Sequence, residues 1–161
     1  MDANRRNFHP LILEEMRKNK NIYFLTADLG YKMLDSIRDE FPDRFFNVGA
    51  SEQLLLAIGV GLAQDGKIPI CYSMPPFLLY RPAEIIRNYL GYENCPVKLL
   101  GGGRGKDYTH DGFSHYAGDD SSFLTLFPNI KQFRPNDFEE MKINTKEWLH
   151  FNGPDYLNLK R

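Results

Sequence analysis

Several things are scarce in this sequence. Cysteine occurs only twice in 161 residues, at Cys71 and Cys95. Two cysteines without a spacing pattern, each beside an apolar or Pro-flanked stretch, are expected to be reduced, structural thiols rather than a disulfide framework. Excess charge of either sign is also missing, since 20 basic and 21 acidic residues leave a formal net charge of −1. With no basic surplus to neutralise a phosphate backbone, nucleic acid is not an expected partner. Long apolar runs are absent. The longest, around Leu54–Val60, falls far short of the ~20 residues that a membrane span needs. Met1–His9 is charged and has no apolar core segment, so no secretory signal is read there and a cytoplasmic location is expected. Repeats, low-complexity tracts and linkers are not visible either.

What is present is globular. Hydrophobic residues make up 42%, charged residues 25% and aromatics 14%, which excludes disordered and fibrous classes. The length suits one domain, residues 1–161, with a sizeable core. Short apolar runs alternate with helical patterns. The runs predict strands at Ile22–Thr26, Arg44–Val48, Ile68–Tyr72, Val97–Leu100, Ile130–Phe133 and Tyr156–Leu159. Ser51 is placed to cap a helix over Glu52–Gln64, whose Gly59 and Gly61 suggest a backbone pressed against a sheet or a subunit. A second helix is read over Pro76–Tyr92, with Pro82 breaking or offsetting its first turns. Strands separated by helices predict an α/β fold of three layers, a mostly parallel sheet flanked by helices. Ligands of such sheets sit at the C-terminal strand ends. That rule points to Asp28, Glu52, Met74–Tyr80 and the loop-like stretch Gly101–Asp120.

Among these residues Glu52 carries the strongest signal. A carboxylate in the first turn of a helix is by default a dipole partner. Here Gly49-Ala50-Ser51 and Leu54-Leu55-Leu56 put it at a strand-to-helix corner in apolar company. Desolvation there favours the protonated acid, the form that serves as a proton donor. Gly101-Gly102-Gly103-Arg104-Gly105 is read either as a phosphate cradle or as a mobile lid, although it matches neither nucleotide-binding glycine motif. His110 and His115 with nearby acids lack a recognised metal-ligand spacing, and a polar substrate loop is the preferred reading. Phe77, Tyr80 and Ile85 fall at helical spacing and would by default be core. The corner position of Phe77 and Tyr80 also allows a ligand pocket.

Taken in order, these segments resemble the transketolase family, and within it the pyrimidine-binding domain for thiamine diphosphate. Asp28-Leu29-Gly30 is similar to the family's ADL turn, and Phe46–Gln53 continuing through Ala57–Ala63 to its glutamate motif. Gly66–Pro69 resembles its GxxP turn, Asp111–His115 its DGxTH motif, Asp119-Asp120 the acidic pair that follows, and Phe127–Asn129 with Arg134–Asp137 its PNM and RPxD segments. The resemblance implies that Glu52 hydrogen-bonds the cofactor's aminopyrimidine and promotes its imino tautomer, which removes the thiazolium C2 proton. It implies a pyrimidine pocket of Met74, Phe77 and Tyr80, with Met74 in place of a usual Phe. Asp28 and Leu29 match positions that approach the cofactor across a subunit interface. Asp111 and His115 match contacts to the donor's hydroxyls, His115 with a catalytic part as well, and Arg5 and Arg161 match arginines that bind a sugar phosphate.

The sequence contains no GDG…N diphosphate-and-metal motif. The resemblance therefore implies a larger partner subunit that holds Mg²⁺ and the diphosphate, in an α₂β₂ assembly acting as a two-carbon ketol transferase. Gly103 stands near a position where the family carries a phosphate-contacting His, and Tyr80-Arg81-Pro82 and Pro75-Pro76 depart from the family's pocket helix. Other readings share the scaffold: a 2-oxoacid decarboxylase, a carboligase similar to 1-deoxyxylulose-phosphate synthases, or a non-catalytic stabilising partner. Asp111 and His115 favour ketol transfer, and the presence of Glu52 argues against a mere scaffold.

Overall fold

Six parallel strands order as β2-β1-β3-β4-β6-β5 in a computed structural model that describes residues 2–161. They are β1 (Ile22–Thr26), β2 (Phe45–Asn47), β3 (Ile68–Ser73), β4 (Lys98–Gly102), β5 (Lys131–Phe133) and β6 (Asp155–Leu159). Strand β2 is shorter than the apolar run suggests. Arg44 ends a 3₁₀ turn and donates from its guanidinium to the carbonyls of Met16, Asn19 and Ile22, which takes it out of the strand.

Neighbouring strand residues point to opposite faces, so the sheet buries both. Phe24, Ile70, Leu100 and Leu157 face a core shared with Phe8, Ile12 and Met16 of α1 (Arg5–Lys18), Ile37 of α2 (Asp35–Glu40), and Met141 and Trp148 of α7 (Phe138–His150). Leu25, Cys71, Leu99 and Tyr156 face the other core. It is covered by α3 (Glu52–Gln64), α4 (Pro75–Tyr80), α5 (Ala83–Ile85) with the π-helical turn Ile86–Tyr92, and α6 (Asp120–Leu124). Cys71 and Cys95 are buried there and unbridged. The predicted single helix over Pro76–Tyr92 is thus three pieces. Pro82 supplies no backbone N–H, and the chain breaks at Arg81-Pro82.

Gly59 does what its place in α3 suggests: a Cβ there would lie 2.6 Å from Cys71 Sγ, so glycine lets the helix approach the sheet. Gly61 does not press on the sheet: it is exposed, and a Cβ there would meet nothing within 4 Å in this chain, which leaves only the subunit alternative for it. Helices α1 and α7, which pack on each other and on one sheet face, are additions to the sequence reading. Each has a capping side chain: Asn4 Oδ1 accepts from the Asn7 amide at 3.0 Å, and Asp137 Oδ1 from the Glu140 amide at 2.9 Å. Among the described residues no helix is long and apolar enough to cross a membrane.

Candidate functional site

The C-terminal ends of β1, β2, β3 and β4 and the segments that follow them bear most of the residues singled out from sequence. Glu52 opens α3 and is 3% exposed. Ser51 stands at the cap position, but its side chain makes no capping bond, contrary to expectation. The Glu52 carboxylate is instead engaged on both oxygens. Ser73 Oγ, at the end of β3, donates to Oε1 at 3.1 Å, and Arg81 Nη1 donates to Oε2 at 2.6 Å. The corner is therefore not purely apolar, because a guanidinium supplies a charge partner from the broken end of α4. That guanidinium also stacks over the Phe77 ring, 3.9 Å from its centroid.

Phe77 in turn meets His115, edge to face with centroids 5.0 Å apart. Glu52, Arg81, Phe77 and His115 thus form one contiguous chain of contacts, although they come from three separate segments. Met74 is buried at the start of α4, directly after Ser73. Tyr80, at the other end of α4, is partly exposed and packs edge-on against Phe123. Partial burial and the neighbouring Asp119 carboxylate push its phenol up.

Other predicted residues lie in separate groups. Asp28 follows β1 with φ +54, held by Asn47, whose Oδ1 accepts from the Asp28 amide at 3.0 Å. Asp28 and Leu29 line a cavity of about 160 Å³ beside β2. The Asp111 carboxylate lies 3.2 Å from His110 Nε2, not on His115. His115 Nδ1 is 3.0 Å from Ser114 Oγ. Arg5 and Arg161, far apart in sequence, come to the same aromatic ring: their guanidiniums lie 5.7 and 5.0 Å from the Tyr108 centroid. Among the described residues the buried hydroxyls of Tyr72 and Tyr108 have no hydrogen-bond partner. Burial pushes both phenols up, with the Arg5 charge opposing.

The glycine run begins inside the sheet rather than in a loop. Gly101 and Gly102 are β4 residues, and a Cβ on them would lie 2.6 Å from Tyr156 Oη and 2.7 Å from Tyr72 Oη. Gly103 has φ +105 and abuts Tyr108. The run makes room for three tyrosines. Around the two loop histidines, and elsewhere among the described residues, no three His, Cys, Asp or Glu side chains come together as a metal-binding set. Ser73, Tyr72 and Tyr108 carry no signal of their own in the sequence. A serine closing a strand beside a buried carboxylate, and tyrosines opposite a glycine run, are pairings that only the register reveals.

Comparison with known proteins places the fold in a family. The transketolase pyrimidine-binding domain profile matches residues 3–161, and the chain belongs to that family. A putative transketolase C-terminal section from Methanocaldococcus jannaschii is 32% identical over 158 residues, covering 98% of this chain and 50% of that protein. A subunit of the apulose-4-phosphate transketolase of Actinobacillus succinogenes is 35% identical over 120 residues, covering 74% of this chain and 39% of that one. Among solved structures, a split gene transketolase described as an inactive beta4 tetramer superposes with a TM-score of 0.86 at 31% identity, covering 100% of this chain and 51% of that one. The chain spans about half the length of these relatives or less.

Proposed function

We propose that this chain is the pyrimidine-binding part of a split, thiamine-diphosphate-dependent transketolase-like enzyme that moves a two-carbon ketol unit between sugar substrates. The observation that carries the reading is Glu52, a carboxylate nearly removed from water at a strand-to-helix corner and linked through Arg81 to the Phe77 face. A planar aminopyrimidine needs such a pair, an aromatic wall for its face and a carboxyl for its ring nitrogen. When bound, thiamine diphosphate supplies the nucleophilic carbon that cleaves and rejoins a ketose at its carbonyl.

The chain's own residues do the rest. Glu52 holds the proton that passes to and from the pyrimidine nitrogen, and Ser73 fixes the carboxyl's orientation. Met74, Phe77 and Tyr80 form the wall, while Asp28 and Leu29 reach toward a cofactor held across an interface. Asp111 and His115 meet the donor's hydroxyls, with His115 placed by Phe77. Arg5 and Arg161, gathered at Tyr108, take the phosphate of a phosphorylated sugar. Mg²⁺ and the cofactor's diphosphate belong to a larger partner subunit in a cytoplasmic α₂β₂ assembly. The split-gene relative, described as inactive in its beta4 form, supports that dependence.

The test is reconstitution. The isolated chain, given thiamine diphosphate, Mg²⁺ and a ketose donor, is expected to transfer nothing, and mixing with a larger subunit carrying the diphosphate half restores transfer. Robust activity of the chain alone contradicts the split assignment.

A further inference from the structure

The loop between β4 and α6 carries Asp111 and His115, and both of its ends are tied to the same strand. Arg104, just after β4, donates from Nε to Asn158 Oδ1 at 2.7 Å. Asn158 Nδ2 donates to the Gly103 carbonyl at 3.1 Å and to Tyr156 Oη at 2.8 Å. The Tyr156 hydroxyl donates to Asp120 Oδ2 at 2.8 Å, where the loop closes, and Arg134 Nη1 donates to Asp120 Oδ1 at 2.8 Å. One unbroken relay thus runs from the first residue of the loop to the first residue of α6, through two side chains of β6.

The relay is costly in its setting. Tyr156 and Asn158 are fully buried and Asp120 is 1% exposed. Asn158 lies in a strand hydrogen-bonded on both sides, where asparagine is disfavoured. Apolar residues of similar volume would serve stability there at least as well. A buried polar network with its bonds made instead specifies one geometry. Burial and the Asp120 carboxylate push the Tyr156 phenol well up, which keeps its proton available for that carboxylate. Gly101 makes space for the arrangement, since a Cβ there would lie 2.6 Å from Tyr156 Oη and 3.0 Å from Asn158 Nδ2. Just inside the two anchors, the Gly105 and Ala117 backbones bond reciprocally at 3.3 and 2.9 Å. Further along, the loop sets His115 on Phe77.

We propose that Tyr156 and Asn158 are positioning residues that clamp both ends of this loop to β6, and so fix where Asp111 and His115 stand relative to Phe77 and Glu52. The consequence for donor binding rests on the transketolase reading, whereas the clamp itself does not.

The test is amide hydrogen exchange by NMR on the full chain, comparing wild type with Tyr156→Phe, which removes only the hydroxyl. The Gly105 and Ala117 amides are expected to exchange at least tenfold faster, while the amides of β1 and β3 keep their wild-type rates. Unchanged rates at Gly105 and Ala117, or an equal rise in β1 and β3, overturn the clamp. Should Tyr156→Phe not fold, Arg104→Met releases the first anchor from a partly exposed side chain and is read by the same criteria at Gly105. In the reconstituted complex, Tyr156→Phe is expected to raise KM for the ketose donor about tenfold while kcat stays within threefold. A fall in kcat at unchanged KM contradicts the positioning role. A wild-type complex that transfers no ketol unit removes the transketolase reading and leaves the exchange result to judge the clamp by itself.

Discussion

Arg81 and Glu52 form an ion pair of unequal exposure: the Arg81 side chain is 47% exposed and that of Glu52 2%, with Nη1 and Oε2 2.6 Å apart. The cation sits on the rim and the anion inside, so the carboxylate depends on the pair more than the guanidinium does. Because Arg81 also lies over Phe77, one side chain ties the buried acid to the aromatic wall.

Arg81→Met leaves that carboxylate without its cation. The variant is expected to lose about 1–3 kcal/mol of stability, reduced from a fully buried pair by solvent at the guanidinium. Arg81→Lys is expected to recover part of the loss, since an ammonium restores the charge but not the planar stack. Urea unfolding midpoints decide it. Wild-type stability in Arg81→Met contradicts the role of the pair.

A second expectation concerns Lys98 and Asp155, a buried pair at the opposite ends of β4 and β6 from the site. Lys98 Nζ donates to Asp155 Oδ2 at 3.1 Å and to the carbonyls of Phe151 and Gly153 at 2.8 and 3.1 Å. Burial pushes the Asp155 carboxyl up to about 8 against the pull of Lys98, and burial also lowers Lys98. With the folded value above the unfolded one, the native chain holds a proton between about pH 4 and pH 8 that the unfolded chain has released. The carboxyl's contribution to stability is therefore present at the acid end and falls as pH rises through that window. The urea midpoint of wild type, taken relative to Asp155→Asn, is expected to decline from pH 5 to pH 8. A difference that stays level or rises refutes the assignment.

Phosphate recognition supplies a third. If Arg5 at the Tyr108 ring serves a sugar phosphate, Arg5→Ala is expected to raise KM for a ketose phosphate roughly tenfold to a hundredfold and leave the unphosphorylated ketose unaffected. Equal KM values for the two ketoses in wild type remove the phosphate site while leaving the Glu52 assignment standing.

The parts of this molecule that are legible in its sequence are those set by local pattern. Strand β1 coincides with the apolar run Ile22–Thr26, and α3 with Glu52–Gln64, because burial on one or both faces imposes a period that neighbours share. Helices α1 and α7 escape such a reading. Pro10 lies inside the first, which argues against a helix when only the sequence is read, and the second is rich in charge, although Asp137 followed by Met141, Thr145 and Trp148 is a readable cap and stripe. The site's acid is legible from its corner, but its partners are not. Arg81 lies 29 positions from Glu52, Asp155 57 from Lys98, and Asn158 54 from Arg104. Such pairs are made by strand order and register, which no local period encodes. The start of the glycine run is illegible for the same reason, since the tyrosines beside Gly101 and Gly102, Tyr156 and Tyr72, come from other strands.

The central claim is that Glu52 activates a bound thiamine cofactor, and proton exchange at the cofactor's C2 position tests it most directly. Glu52→Gln is close to isosteric, keeps an oxygen for Ser73, and cannot pass a proton to the pyrimidine nitrogen. In the complex reconstituted with the larger subunit, C2 exchange is expected to fall by several orders of magnitude in Glu52→Gln while the chain stays folded. Exchange at the wild-type rate would contradict the account.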